Sequence, residues 1–412
     1  MTEQTSNALA PETIAREARQ WLTENWDPNL SLVEWRERLA GSGWGQPTWP
    51  KAFYGRGLAA REAAIVQAEF ARIGAVGPAT AGPRGLAAAT LLEHGSEAQK
   101  KRYLYGITTG RDAWCQLFSE PGSGSDLAGA TTRADRVGDH WIVNGQKVWN
   151  TSAHHADYGI LVARTDWNVP KHQGLSYFVI RMDQPGVEVR QLRQMNGHAS
   201  FNEVFFTDAV VEPEDLVGAL GQGWQVALTT LSHERSGFTS IRGAERFQQG
   251  DARIYREYAR ELEIANEPYS WYPQRAGRID LLIERGKATG AIDDPVVRQE
   301  VAAAIALQRC LTWFGARGLA KGPAGSIAKL AASRVARAGN RAHTIISGVD
   351  ALFEGADSPL DGIVGEILLS TPATSIAGGT DEIQKNNIAE RIIGLPKEPR
   401  FDDGPFKDVP RN

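Results

Sequence analysis

The stretch from Trp114 to Asp126 reads WCQLFSEPGSGSD and marks the point where the periodicity of the chain changes. Before it, apolar residues recur at helical spacing, as in the series Ile14, Ala18 and Leu22. After it, β-branched and aromatic residues form short alternating runs separated by turn residues, and helical spacing returns beyond 223. This order predicts an α+β protein whose strands pair with each other and form no βαβ units.

The same patterns predict individual elements and three domains. Helices are expected at 62–73, 86–93, 297–319 and 327–346, and Asp294-Pro295 is typical of a helix start. Strands are expected at 158–164, 175–182, 187–192 and 203–206. We predict an all-α domain over 1–113, a β domain over 114–215 and a helical domain over 216–412.

Residues 140–149, HWIVNGQKVW, carry the strongest turn signal of the central region. Asn144-Gly145 is the kind of pair that supplies the two positive-φ positions of a type I′ turn. We therefore predict that this segment is a hairpin whose turn lies at these two residues.

The composition restricts the class of protein. The 412 residues are 42% hydrophobic, which is enough to bury sizeable cores. A formal charge of −4 without a basic cluster argues against a nucleic-acid binder. With only Cys115 and Cys310, neither a disulfide framework nor a Cys-rich metal site can form. No signal-peptide pattern and no apolar run of about 20 residues is present, so we expect a cytoplasmic protein without a membrane span.

Small residues and hydroxyls are concentrated in Ser119–Asp126, SEPGSGSD, between two predicted strands. Glycine lets backbone N–H groups approach a ligand closely, and serine adds hydrogen-bond donors. The loop is therefore a candidate cradle for an anionic or carbonyl-rich ligand, with a polar surface turn as the alternative. Because no helix follows it and no parallel β unit surrounds it, it is neither a Walker loop nor a dinucleotide fingerprint.

Two further positions are candidates for binding and catalysis. Trp149 places a flat π surface two residues from the Thr151 hydroxyl on one strand face, an arrangement that suits a planar heterocycle. The alternative is a core tryptophan beside a surface threonine. Glu234 lies at the edge of the apolar face of a predicted helix, where partial desolvation suits a general base. An exposed Glu234–Arg235 ion pair is the alternative.

Near the carboxy terminus, Gly378-Gly379-Thr380 precedes the acidic start of a helix at Asp381. A helix N-terminus beside glycines can bind an anion or a cofactor, although an N-cap without a ligand would have the same sequence. His154-His155 has no Asp, Glu or Cys partner at ligand spacing, so no metal site is predicted.

Taken in order, three motifs resemble the acyl-CoA dehydrogenase family, and the resemblance spans nearly the whole chain. They are CQLFSEPGSGSD at 115–126, NGQKVWNT at 144–151 and GTDEIQ at 379–384, followed by AER at 389–391. The resemblance implies an amino-terminal helical domain, a barrel-like or sandwich-like central β domain and a carboxy-terminal four-helix bundle. It also implies FAD between the last two domains, a tetramer, and electron-transfer flavoprotein as the electron acceptor.

The resemblance also implies the roles of particular residues. Positions that contact the flavin in this family are matched by Gln116, Phe118, Ser119, Ser125, Trp149, Thr151, Thr380 and Glu382. Positions that contact the acyl-CoA substrate are matched by Ser125, Ser232 and Arg235.

The implied reaction is α,β-dehydrogenation of an acyl thioester, in which a carboxylate removes the weakly acidic α-proton. Many members place that glutamate immediately before the Gly-Thr of the carboxy-terminal motif, but this chain has glycine there, at Gly378-Gly379-Thr380. A subset instead uses a glutamate one residue before an arginine on the first long helix after the β domain, and Glu234 stands at that place. We predict that Glu234 is the base and that the Gly378 N–H donates to the thioester carbonyl.

A second departure from the family lies in 247–294, where the usual Arg-Phe-Gly contact to a neighbouring subunit's FAD is missing and Arg285 is the nearest substitute. The long segment resembles actinobacterial members, some of which act on bulky or steroid-derived acyl chains or work as unlike-subunit pairs. Two alternatives follow. The chain could be a non-catalytic, flavin-poor partner subunit, or a flavin oxidase or monooxygenase on the same fold.

Overall fold

The computed structural model describes residues 10–79, 82–237, 250–318, 322–353, 355, 358–399 and 402–410. The side chains of 235–237 lie outside the described set. None of the helices in these ranges is both long and apolar enough to cross a bilayer.

The amino-terminal part is helical, as predicted. Its helices are α1 (Pro11–Asn25), α2 (Leu32–Ser42), α3 (Ala60–Ile73), α4 (Pro83–His94) and α5 (Glu97–Thr109). Ser31 and Glu34 form a reciprocal capping box that starts α2, and Gly43 ends it in the left-handed region. The indole of Trp35 is fully buried and donates to the carbonyl oxygen of Val76 at 2.7 Å, which joins α2 to the chain after α3.

The central part is one sheet of eight strands within the described residues. The strands are β1 (Trp114–Leu117), β2 (Arg133–Val137), β3 (His140–Val148), β4 (Tyr158–Arg164), β5 (Leu175–Arg181), β6 (Val187–Leu192), β7 (Phe201–Val211) and β8 (Leu216–Val217). Their order is β6-β7-β3-β2-β4-β5-β8, and β1 adds to β4 in parallel. The two end strands of this order are not paired with each other, so the sheet is open.

The prediction of a barrel-like central domain is therefore wrong for the described strands. Residues of β1, β3, β4, β5 and β7 nevertheless share one buried cluster, and Trp141 packs against Phe178 with ring centroids 5.5 Å apart. Since the strands that carry these two residues are not neighbours in the sheet, the sheet curves over its own apolar face without closing.

The predicted turn at Asn144-Gly145 is also wrong. Strand β3 runs through both residues, and its turn to β2 lies at 138–139, where Gly138 has φ +61°. Asn144 donates instead to Asp208 Oδ1 at 3.0 Å, beside a bulge in the pairing with β7. An Asn-Gly pair forms a turn only where no distant strand competes for the same backbone. Here β7 pairs with β3 and prevents the turn.

The carboxy-terminal part is helical again. Its helices are α6 (Gly223–Gly237), α7 (Arg253–Asn266), α8 (Tyr272–Arg275), α9 (Leu282–Ala288), α10 (Pro295–Ala316), α11 (Gly325–Ser347), α12 (Ile363–Ser370), α13 (Pro372–Ile376) and α14 (Asp381–Ile388). The predicted helix start at Asp294-Pro295 is confirmed, because Asp294 accepts from the backbone N–H of Val296 at 2.7 Å and caps α10. Helices α10 and α11 pack against each other through Val301, Val335 and their neighbours.

Helix α7 packs on the amino-terminal helices although it follows the β region in sequence. Arg36 of α2, which is 3% exposed, makes two hydrogen bonds to Glu261 of α7 at 2.6 and 2.9 Å. Glu257 accepts from the Leu32 backbone N–H at 2.7 Å. These contacts join residues 225 positions apart, so they could not be inferred from local pattern.

An aromatic junction connects the sheet to the carboxy-terminal helices. Trp271 is buried, and its ring meets Phe201 of β7 edge-on at 6.3 Å. On the same side, Glu366 of α12 accepts from Gln274 at 3.0 Å and bonds with His198 at 3.0 Å. The junction fixes Phe201, the first residue of β7. The Phe201 ring in turn contacts the candidate site.

Candidate functional site

The SEPGSGSD loop is closed at its base by the carboxylate of Glu120. This carboxylate accepts from the backbone N–H groups of Thr131 and Thr132 at 2.7 and 2.8 Å and from the Lys147 ammonium at 2.8 Å. Lys147 also donates to the Phe118 carbonyl at 2.9 Å. The ion pair thus joins the start of the loop to strand β3, and the Glu120 carboxylate also binds the backbone of Thr131 and Thr132 beyond the loop's end.

Burial makes this ion pair energetically important. Lys147 is fully buried and Glu120 is 6% exposed, so a missing partner would leave an uncompensated charge in the protein interior. Burial raises the pKa of Glu120, but the Lys147 ammonium and the threonine hydrogen bonds outweigh it and lower the pKa to about 2. Neither residue was among the predicted site residues, although Glu120 lies in the SEPGSGSD loop and Lys147 in the NGQKVWNT motif.

The predicted site residues in the loop, and Phe118 just before it, occupy different environments. Phe118 is buried and meets the ring of Tyr177 edge-on at 5.9 Å, so its side chain belongs to the core. Ser119 is half-buried, and its carbonyl accepts from the Val148 N–H at 2.9 Å. Ser125 is exposed at the tip. The loop therefore has a buried base and an open tip that a ligand can reach.

Trp149 and Thr151 do not share a strand face as predicted, because β3 ends at Val148. Trp149 has φ +65°, a left-handed conformation that is uncommon outside glycine, and its side chain is 55% exposed. Its indole meets Phe201 edge-on at 5.7 Å. The next residue, Asn150, is buried and donates to the Gln116 carbonyl at 2.7 Å.

Asn150 explains the strained backbone at Trp149. Its backbone exchanges two hydrogen bonds with Asn202, at 3.1 and 3.0 Å, while its amide reaches back to β1. With Asn150 fixed inward, the preceding side chain is directed outward, where its flat face is available to a planar ligand. Thr151 follows in a half-buried position.

Glu234 lies one turn before the carboxy-terminal end of α6 and is half-buried. Gln116 of β1 donates to Glu234 Oε2 at 3.4 Å, so the carboxyl lies beside the strand that leads into the SEPGSGSD loop. Helix α6 is held in this position by Thr230, whose hydroxyl hydrogen-bonds with the hydroxyl of Thr90 at 2.8 Å and with that of Tyr177 at 3.0 Å. The structure thus brings together Gln116 and Glu234, which sequence analysis had placed in separate motifs.

Ser232 and Arg235, the two predicted substrate contacts near Glu234, lie on the same helix. Ser232 is exposed on α6. The side chain of Arg235 lies outside the described residues.

The Gly378-Gly379 motif before α14 forms a turn that is held by hydrogen bonds. Gly378 and Gly379 have φ +70° and +88°, and their carbonyl oxygens accept from Gln384 at 3.0 and 3.2 Å. The φ of +88° at Gly379 is a backbone conformation that L side chains rarely adopt, so this position favours glycine. Thr380 caps α14 by accepting from the Ile383 N–H at 3.3 Å.

The first turn of α14 is anchored through Asp381 and not through Glu382. Asp381 is buried and forms ion pairs with Lys329 at 3.2 Å and Arg337 at 3.0 Å, both on α11. Glu382 is exposed, 3.7 Å from Lys385. Its carboxylate therefore points away from the anchor and can reach a ligand.

Arg285, the nearest substitute for the missing Arg-Phe-Gly contact, makes its contacts within its own chain. Its guanidinium is buried against its own chain, donating to Ser347 Oγ at 2.7 Å and lying 3.1 Å from His343 Nδ1. Among the described residues, no group of three His, Cys, Asp or Glu side chains is arranged to hold a metal ion.

The helical, β and helical order, with a glycine-rich loop, an exposed indole and a glycine-turn helix start, is the arrangement that the resemblance to acyl-CoA dehydrogenases implies. Comparison with known proteins agrees. The acyl-CoA dehydrogenase N-terminal domain matches residues 1–111, the middle domain matches 115–209, and the C-terminal domain matches 281–393.

Whole-chain relatives support the same assignment. Acyl-CoA dehydrogenase IpdE1 of Mycobacterium tuberculosis is 36% identical over 414 residues, covering 94% of this chain and 98% of the relative. Acyl-CoA dehydrogenase FadE34 of the same organism is 34% identical over 359 residues, covering 87% of this chain and 46% of the relative. The chain therefore belongs to the acyl-CoA dehydrogenase family, a family of flavoprotein oxidoreductases that act on CH–CH groups.

Solved structures show the same fold at lower identity. The Tcur3481-Tcur3483 steroid ACAD superposes with a TM-score of 0.64 at 23% identity, covering 96% of this chain and 100% of the other. The ChsE4-ChsE5 complex from Mycobacterium tuberculosis gives 0.63 at 24% identity, with the same coverage.

Removing one partner of the buried ion pair should destabilise the protein. Lys147→Met leaves the Glu120 carboxylate buried without its cation, so we expect a loss of about 3–5 kcal/mol in the free energy of unfolding. The measurement is urea unfolding followed by far-UV circular dichroism. The double variant Glu120→Gln/Lys147→Met is the control and should be less destabilised than the single variant; equal losses would contradict a charge-based role.

Proposed function

We propose that this chain is an FAD-dependent acyl-CoA dehydrogenase in which Glu234 removes the α-proton of the acyl thioester. The contact between Gln116 and Glu234 carries the proposal, because it sets a half-buried carboxylate beside the strand of the flavin motif. An α C–H is a weak acid, so the reaction needs a positioned base and polarisation of the thioester carbonyl. Bound FAD supplies the acceptor for the hydride that leaves the β carbon.

The residues present fit FAD. The exposed indole of Trp149 offers a flat apolar face, and added Cβ atoms at Gly122 and Gly124 would meet nothing within 4 Å, so the loop tip is open to a ligand. The residues proposed to hold FAD are Gln116, Phe118, Ser119, Ser125, Trp149, Thr151, Thr380 and Glu382. The buried ring of Phe118 limits its part to the backbone.

Substrate binding is proposed to use groups around α6 and the glycine turn. Ser125, Ser232 and Arg235 would hold the coenzyme A part of the substrate. The Gly378 N–H would donate to the thioester carbonyl, a role that needs no side chain and that tolerates glycine where other members carry glutamate. The carboxylate of Glu234 would then take the proton that the polarised thioester releases.

Domain division, assembly and acceptor are also proposals. We propose domains at 1–113, 114–215 and 216–412, with the last forming a four-helix bundle around α10 and α11. Exposed Val349, Leu352 and Phe353, of which Leu352 is 77% exposed, form an apolar surface that suits a contact in a homo- or heterotetramer. Electron-transfer flavoprotein is the proposed acceptor and the cytoplasm the proposed location.

The base assignment predicts a specific loss of reduction. Wild-type protein should be yellow and should bleach anaerobically with one member of a panel of straight, branched and sterol-derived acyl-CoA esters. Glu234→Gln should stay yellow but bleach at least about 10²-fold more slowly, because general-base catalysis is lost. Stopped-flow absorbance of the flavin measures the rate.

Glu93→Gln is the matched control for that variant, since Glu93 also bonds with a side chain of α6, Thr229, at 3.3 Å. It should bleach at the wild-type rate. Bleaching of Glu234→Gln at that rate would refute the base, and a colourless wild type would favour the partner-subunit alternative. Oxygen uptake with peroxide release would instead indicate an oxidase.

Gln116 should affect the rate of the proposed reaction. Its amide donates to the Glu234 carboxylate at 3.4 Å and so helps to orient it. In flavin-loaded Gln116→Leu we expect the limiting rate of anaerobic bleaching to fall about three- to tenfold, in line with one hydrogen bond. Gln146→Leu removes a similar donor from Glu203 on β7 and should bleach at the wild-type rate; an unchanged rate in Gln116→Leu would contradict the contact.

A further inference from the structure

The segment 402–410 returns from the carboxy-terminal helices to the β region and pairs with it through its backbone. The N–H of Phe406 donates to the Val169 carbonyl, and that of Lys407 to the Trp167 carbonyl, each at 2.9 Å. The Phe406 side chain is 3% exposed and lies against the ring of Trp167 at 5.5 Å. The segment is thus packed and hydrogen-bonded, with a buried aromatic anchor.

Phe406 covers the buried guanidinium of Arg164, which hydrogen-bonds to residues just after the SEPGSGSD loop. The Arg164 guanidinium is fully buried and donates to the Ala130 carbonyl at 2.9 Å and the Ala128 carbonyl at 2.6 Å. The ring centroid of Phe406 lies 3.5 Å from its Cζ atom. Because the ring face is electron-rich, it stabilises a guanidinium that has been taken out of water.

A second link runs through Lys171. Its ammonium forms an ion pair with Asp126, the last residue of the loop, at 2.9 Å, and another with Asp402 at the start of the segment. The side chain of Lys171 is only 13% exposed, so both carboxylates meet a largely dehydrated cation. The segment therefore contacts the loop region by two independent routes, one aromatic and one ionic.

These contacts reduce the entropic cost of ordering a glycine-rich loop. An added Cβ at Gly122 or Gly124 would meet nothing within 4 Å, so side-chain packing does not order the loop tip, and contacts at the base of the loop contribute to its order. Ordering the base before a ligand arrives lowers the cost of binding, which is the physical meaning of preorganisation.

We propose that residues 402–410 form a clamp that presets the SEPGSGSD loop for acyl-CoA, with Phe406 and Asp402 as positioning residues. This rests on the proposed function, in which Ser125 at the loop tip contacts the substrate. The clamp acts on binding and not on the chemical step, since its contacts run through Arg164 and Lys171 to the loop region.

The test compares Phe406→Leu and Asp402→Asn with the neighbouring exposed residue as control, Asp403→Asn, in the full-length flavoprotein. Phe406→Leu keeps an apolar side chain but removes the ring face. Hydrogen exchange is followed in peptides covering 119–132, and acyl-CoA is titrated by anaerobic flavin bleaching. We expect faster exchange in these peptides and a KM for acyl-CoA raised about five- to tenfold in the two clamp variants, with an unchanged limiting rate.

Unchanged exchange and KM in both clamp variants would overturn the clamp. A lower limiting rate together with a lower melting temperature would also overturn it, because it would reveal general destabilisation. Faster exchange in the two clamp variants combined with a wild type that no acyl-CoA reduces would support the ordering of the loop by residues 402–410 and refute the proposed function. Asp403→Asn should behave as wild type throughout.

Discussion

The buried ion pair between Glu120 and Lys147 is the interaction on which the candidate site depends. It satisfies one carboxylate with two backbone N–H groups and an ammonium, and it ties the start of a glycine-rich loop both to strand β3 and to the backbone that follows the loop. A loop of this composition has little intrinsic order. The buried Glu120–Lys147 pair supplies that order, because neither charged group can move away without leaving the other unpaired in a medium of low polarity.

From this pair the site extends in two directions along the chain. Towards β1, the strand that carries Gln116 is fixed by Asn150, whose inward position also holds the Trp149 indole outward. Towards α6, Gln116 meets Glu234, and the Thr230 hydroxyl holds the helix against Thr90 and Tyr177. The flavin motif and the proposed base are therefore parts of one connected hydrogen-bonded structure, although 118 residues separate Gln116 from Glu234.

Sequence pattern predicted much of the local structure. The strands at Tyr158–Arg164 and Val187–Leu192 and the helix starts at Pro295 and Asp381 agree with the structure, since each is decided by periodicity or by capping within a few residues. The turn at Asn144-Gly145 failed because the pairing of β3 with β7 competes for the same backbone. The barrel-like form that the resemblance implied for the central domain is not found in the described strands, because pattern identifies strands but not whether the end strands of a sheet meet.

The amino-acid sequence by itself determined the order of helices and strands, the motifs that place the chain among acyl-CoA dehydrogenases, and the absence of glutamate before Gly379-Thr380. Only the tertiary structure decided which charges are paired and buried, that α7 folds back onto α2, and that Glu234 lies beside Gln116. The reason is physical: capping and periodicity act over a few residues, whereas burial and ion pairing depend on which distant segments meet when the core excludes water.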